Sequence, residues 1–174
     1  MNTYRMAEGG IIRLADSAFI PADERNSDYQ RYLAWTAQGN KPAPLMSLSE
    51  AQTFKVAELE AACATEIASG FASAALGKVY QYPAKATDQS NLQASVLASL
   101  LPGLATDWTT PFWCQDAAGT WAYRPHTAAQ IQRVGTDGKD AINACIAQKI
   151  QLEEQLAKAK TLAEVEAITW TAPQ

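Results

Sequence analysis

The sequence predicts an α-dominated α+β fold. It has a small N-terminal β-hairpin plus helix module, then a helical domain with a small antiparallel sheet and one long C-terminal amphipathic helix. Three observations predict it. Between Thr127 and Lys160, the residues Ile131, Val134, Gly138, Ala141, Cys145, Leu152 and Leu156 recur at spacings of three, four and seven. A 3.6-residue turn gathers all of them on one side of a helix. At four places where an apolar helical pattern begins, Ser or Thr stands three residues before Glu or Gln, the form of a capping box. Three pairs of strand-like runs, each joined by a turn containing glycine, read as hairpins.

The first hairpin spans residues 3–14, with Thr3-Tyr4-Arg5-Met6, a turn at Glu8-Gly9-Gly10, and Ile11-Ile12-Arg13-Leu14. Ser17 to Pro21 extends away from it, and Pro21 discourages helix just before itself. Ser27…Gln30 has the capping-box form, opening a helix to about Gln38 that buries Tyr29, Tyr32, Leu33 and Trp35. Gly39-Asn40 stops this helix, and the Pro-rich stretch 41–46 is a stiff linker. The expected organisation is a hairpin–helix docking module over 1–40, the linker over 41–46, and a helical domain with β-hairpins over 47–174.

Ser47…Glu50 opens the next helix, with Leu48, Val56, Leu59 and Cys63 on one face. Its opposite face repeats Ala57, Ala61, Ala64 and Ala68, and small side chains let a neighbouring backbone come close, so this helix is expected to be sandwiched. Phe71 to Tyr82 is a second hairpin turning at Gly77-Lys78. Asp88 to Leu101 is a helix with Leu92, Val96 and Leu100 on one face and Leu97 and Leu101 beside it, ended by Pro102-Gly103. Phe112 to Tyr123 forms the third hairpin. Thr127…Gln130 then opens the long helix, on which Ile142, Ile146 and Ile150 make a second apolar row that asks for more than one covering element. Gly135 and Gly138 fall inside it, each costing about 1 kcal/mol relative to Ala. Continuity is the expectation, with a break at Thr136-Asp137-Gly138 as its rival. Thr161…Glu164 opens a short closing helix anchored by Trp170.

Composition narrows the function classes. The 174 residues are 48% hydrophobic and 18% charged, a globular balance with room for a sizeable core or a small module plus a core domain. Lys plus Arg number 14 against 18 Asp plus Glu, a net charge of −4. With no basic run, the footprint of a nucleic-acid binder is missing. No apolar run approaches the roughly 20 residues of a membrane span, and the first residues lack a signal-peptide core. Synthesis in a cytoplasm without an encoded export route is expected. Cys63, Cys114 and Cys145 are odd in number and far apart, so buried reduced thiols are expected.

Chemistry is sparsely written. His126 is the single histidine, and no C-x-x-C or H-x-x-x-H spacing offers a metal set. Cys114 lies twelve residues upstream and makes a Cys/His nucleophile pair conceivable. Core packing for Cys114 and a helix-start role for His126 is the better reading, since reactive thiols need an electropositive, partly exposed setting. The adjacent pairs Asp23/Glu24 and Glu153/Glu154 do not face each other, and the glycines match no phosphate-binding loop. No catalytic residue, cofactor or metal is expected, and the protein is read as a non-enzyme.

Two stretches resemble known proteins. Phe19-Ile20-Pro21-Ala22-Asp23, Asn26, Asp28-Tyr29-Gln30, Tyr32, Trp35, Gly39-Asn40 and Pro42 resemble a short module of tailed-bacteriophage tail proteins. Gly70-Phe71, Ala75-Leu76-Gly77, Tyr80, Asp88-Gln89, Asn91-Leu92, Trp121, His126-Thr127, Gln130, Glu164, Ile168 and Trp170 are similar to a family of uncharacterised function. Together they cover nearly the whole chain. The resemblance implies a tail-fibre-associated protein acting through protein–protein contact, as a fibre-assembly chaperone or a fibre or tail structural component. It also implies the host cytoplasm during assembly, or the virion tail, as its location. A receptor- or glycan-binding module is the alternative, and a hydrolase comes third.

The implied partner is a tail-fibre or tail/baseplate protein, with a homo-oligomer also allowed and neither nucleic acid nor membrane expected. The docking residues are expected among Tyr4, Met6, Ile11, Ile12, Phe19 and Ile20, apolar groups in a segment with no evident core of its own. Trp113, Trp121 and Tyr123 are the second candidate interface. Trp121 and Tyr123 alternate onto one face, and core or subunit interface outweighs a sugar-stacking surface for them.

Overall fold

The long helix is the spine of the molecule. In this computed structural model, which describes residues 3–173, helix α4 runs unbroken over Ala128–Lys158, a rod of roughly 46 Å at 1.5 Å per residue. Its cap is the expected one. The Thr127 hydroxyl accepts from Gln130 N, and Gln130 Oε1 accepts from Thr127 N at 2.9 Å. The two internal glycines are sites of close approach. A Cβ on Gly135 would stand 2.8 Å from Val96 Cγ2, and one on Gly138 would stand 2.7 Å from Phe71 Cζ.

The preceding elements are β1 (Tyr4–Ala7), β2 (Gly10–Arg13), β3 (Ala18–Pro21), α1 (Ser27–Ala37), α2 (Leu48–Ser69), β4 (Phe71–Ser73), β5 (Tyr80–Tyr82), α3 (Ala86–Ser99), β6 (Thr109–Gln115) and β7 (Trp121–Thr127), and α5 (Leu162–Glu166) follows α4. The helix-dominated α+β expectation holds. The second and third expected hairpins join into one antiparallel sheet of order β4-β5-β6-β7. That sheet, α3 and the first half of α4 enclose a core built on Tyr82, Phe112, Cys114, Ile131 and Val134. The second half of α4 packs with α2 and α5 around Leu59, Leu152, Leu156, Val165 and Ile168, each buried Leu contributing about 1.5–3 kcal/mol. Gln52 Nε2 bonds the Leu156 and Ala159 carbonyls at 3.0 and 3.3 Å, satisfying acceptors at the end of α4.

Four expectations need correction. Ser17–Pro21 does not lead away from the first hairpin but returns as β3, antiparallel to β2 with Ile11 opposite Ile20. The cap of α1 is Asn26 rather than Ser27, its Oδ1 accepting from Asp28 N and Tyr29 N. Gln30 instead bonds Glu24 O at 2.6 Å. Helix α2 is not sandwiched, because Ala57, Ala61, Ala64 and Ala68 are all exposed. On α4 the second apolar row is only partly covered, with Ile146 and Ile150 facing outward.

The N-terminal module also has a core of its own, against the expectation that it lacked one. Tyr4, Ile11, Ile20 and Tyr32 are buried together, with Tyr29, Leu33 and Trp35 packed around them. Tyr4 meets Tyr32 and Trp35 edge-on at 5.3 and 5.1 Å between ring centroids. The linker is fastened to it: Met6 N bonds Ala43 O, and Ala43 N bonds Tyr4 O, both at 2.8 Å.

Candidate interaction surfaces

Helix α3 has a cleft on each side. Its N-terminus is fixed by Asp88, whose carboxylate accepts from Lys85 N at 3.1 Å. Its C-terminal end is held by Gln132 of α4, whose Nε2 donates to Ser99 Oγ at 3.1 Å. Leu92 and Val96 point into the sheet core. Between α3 and α4 lies a groove of about 720 Å³, lined by Leu97 and Leu100 on one wall and by Gly135, Gly138, Lys139 and Ile142 on the other. Leu97 and Leu100 are each 63% exposed and Leu101 is exposed beside them, while Ile146 and Ile150 continue the apolar row past the end of α3. An apolar surface of this extent is what protein contacts cover.

On the other side stands the β6–β7 hairpin. Its register pairs Trp113 with Tyr123 and Gln115 with Trp121, so the alternation of a strand sends Phe112, Cys114, Arg124 and His126 inward and the three aromatics outward. The second candidate interface is therefore a surface and not core. The Trp113 and Trp121 rings lie 6.1 Å apart and within 14° of parallel, and Trp113 and Tyr123 are 4.8 Å apart. Arg124 braces the hairpin from within. It bonds Cys114 O and Asp116 Oδ2 at 2.8 Å each and lies over the Tyr80 ring.

The first candidate interface is divided by the fold. Tyr4, Ile11 and Ile20 are consumed in the module's core and offer a partner nothing. Ile12 is half-buried, and Met6 and Phe19 are exposed. The strand edges are also less available than a free hairpin would leave them. The β1 edge is taken by Ala43. Along β3 the ladder turns Phe19 and Pro21 outward, and proline donates nothing to an added strand.

The conceivable Cys114/His126 pair is a packed part of the core. Both side chains are fully buried. His126 Nδ1 lies 2.8 Å from Arg124 O, which can only accept, so this nitrogen carries the proton. Nε2 therefore accepts from Tyr82 Oη at 2.8 Å. Burial holds the His126 pKa below the ordinary histidine value and pushes the Tyr82 phenol up. With both ring nitrogens bonded, neither is left to take a proton from Cys114. Burial likewise raises the Cys63 and Cys145 thiols. Among the described residues no cluster of three or more His, Cys, Asp or Glu could hold a metal ion, and no helix is long and apolar enough to cross a membrane.

The aromatic face of the hairpin was singled out by the sequence as Trp113, Trp121 and Tyr123, whereas the groove was not. The groove could have been sought in Leu97, Leu100 and Leu101, more leucines than one buried face of a short helix needs, but not in its α4 wall. A family model described as "Domain of unknown function (DUF4376)" matches residues 50–170. The match starts in the first turn of α2 and ends at Trp170, so it takes in both clefts and leaves out the N-terminal module. No curated protein and no solved structure matches the chain.

Proposed function

Since the chain belongs to the DUF4376 family through residues 50–170, we propose that it works by protein–protein contact, as a bacteriophage tail-fibre-associated protein. It serves as a fibre-assembly chaperone or as a structural component of the fibre or tail. The tail-fibre setting is supported by the sequence resemblance of the N-terminal module and the later landmarks. The mode of action is supported by one structural observation, the α3–α4 groove. Leu97 and Leu100 are largely exposed there, and a helix or loop of a partner laid in the groove would cover them. Phe19 and Met6 form a second, smaller contact on the module. The host cytoplasm during assembly, or the tail itself, is the place for such a role.

Co-expression with the phage's tail-fibre protein, followed by co-purification, tests this. Leu97→Asp with Leu100→Asp should lower recovery of the complex at least tenfold, because a charge buried in an apolar contact is strongly unfavourable. Both side chains are exposed, so circular dichroism should stay unchanged. Loss with Phe19→Asp alone would shift the contact to the N-terminal module. Undiminished recovery with every variant would refute the contact role.

A further inference from the structure

The cleft between α3 and the β6–β7 hairpin has walls of two kinds. It encloses about 390 Å³, within the range of small-molecule sites, roughly 300–1,000 Å³. One wall is aromatic, formed by Trp113 and Tyr123, and Tyr123 is 70% exposed. The facing wall is polar. Asp88, Asn91 and Ser95 of α3 line it, and spacings of three and four residues set them along one flank of the helix. Asp88 uses one carboxylate oxygen on Lys85 N, leaving the other to accept. Ser90 of the same helix donates back to Ala86 O at 3.0 Å, a common resting place for a helical serine. Asn91 is exposed and Ser95 half-buried on this wall, and their amide and hydroxyl can both donate and accept.

We propose that this cleft binds a neutral pyranose ring of a carbohydrate, one face stacked on the Trp113 indole with Tyr123 tilted beside it, and the hydroxyl edge bonded to Asp88, Asn91 and Ser95. A pyranose has an apolar C–H face and a rim of hydroxyls, each of which donates and accepts. The electron-rich face of an aromatic ring suits the first. The carboxylate acceptor, the amide and the hydroxyl suit the second. The charge argues for a neutral sugar, since no Lys or Arg lines the cleft and Asp88 repels an anion. A protein partner fits less well, because the centre of a protein interface is depleted of acidic groups. Trp121 stacks with Trp113, nearly parallel and with ring centroids 6.1 Å apart, and so steadies the indole on which the sugar lies. The site lies on the opposite side of α3 from the groove and does not depend on the contact proposed there.

The full chain is titrated with the methyl glycosides of glucose, galactose and mannose and with N-acetylglucosamine, following tryptophan fluorescence. It is also applied to an array of neutral oligosaccharides. Saturable binding of at least one is expected, at roughly millimolar affinity for a single ring. Trp113→Ala should weaken it at least tenfold. Asn91→Ala, an exposed polar change that spares the fold, should weaken it several-fold, and Leu97→Asp on the far side of α3 should leave it unchanged. Absence of saturable binding across the sugars and the array would overturn the proposal, as would binding indifferent to both Trp113→Ala and Asn91→Ala. Loss of tail-fibre protein binding in those two variants, with no sugar bound by the parent chain, would make the aromatic face a protein interface instead.

Discussion

His126 is neutral because of where it sits, and as the single histidine of the chain it can be followed by titration. Its folded pKa lies below the unfolded value because burial disfavours the imidazolium. Below about pH 6.5 the unfolded chain takes up a proton that the folded chain refuses. Stability should therefore fall as pH drops from about 6.5 toward the folded pKa, and His126 should contribute no slope above that window. Denaturant midpoints measured between neutral pH and the onset of carboxylate titration check this. His126→Gln lowers stability throughout, because Tyr82 Oη and Arg124 O lose well-placed partners, but it should remove most of the pH slope. A slope that survives the substitution would place its origin in other groups.

Helix α4 shows why propensity alone misjudges an element. Gly138→Ala gains about 1 kcal/mol of helix propensity, yet the new methyl meets the buried Phe71 ring at 2.7 Å. Overpacking of a filled core costs about 1–3 kcal/mol, so the substitution should destabilise, by about 1 kcal/mol net. Thermal unfolding of Gly138→Ala, Phe71→Leu and the double variant checks it, because a clash predicts a double variant less damaged than the sum of the singles. The same distinction separates what was legible in the sequence from what was not. The caps at Ser47, Thr127 and Thr161 were legible because capping is a local exchange between residues three apart. At α1 two adjacent residues could both cap, and the path of the chain after Asp23 selects Asn26 over Ser27. Strand β3 escaped because its pairing with β2 is a tertiary event in a four-residue segment ending in proline. Periodicity marked the apolar rows of α2, α3 and α4 but carries no record of whether anything lies over them, and Ile146, Ile150 and Leu97 stay bare. The two faces of the last hairpin were equally legible as alternation. The side that turned inward was settled by Phe112, Cys114 and His126 packing with Tyr82.

Three cores organise the molecule, one in the N-terminal module and one at each half of α4. The module is tied to the rest mainly through its linker and through Arg5, whose guanidinium bonds Leu45 O at 2.7 and 3.0 Å and pairs with Glu50 at 3.3 Å. An exposed ion pair of that kind adds little to stability. Residues 45–174 should therefore fold without the first 44, with a cooperative thermal transition within a few degrees of the full chain's. Calorimetry of the truncated chain checks this, and a missing transition would show that the module is part of the main fold. The dependence of both larger cores on α4 has a consequence for a chain being made. The module's core is complete once Trp35 has emerged from the ribosome, whereas Leu59 and Phe112 wait for partners that are translated after residue 130. At about 5–20 residues per second, the apolar face of α2 stays bare for several seconds or more of every round of synthesis. A message cut short before α4 thus releases a chain with one small folded head and a sticky body, a substrate for chaperones and proteases rather than a partial copy of the protein.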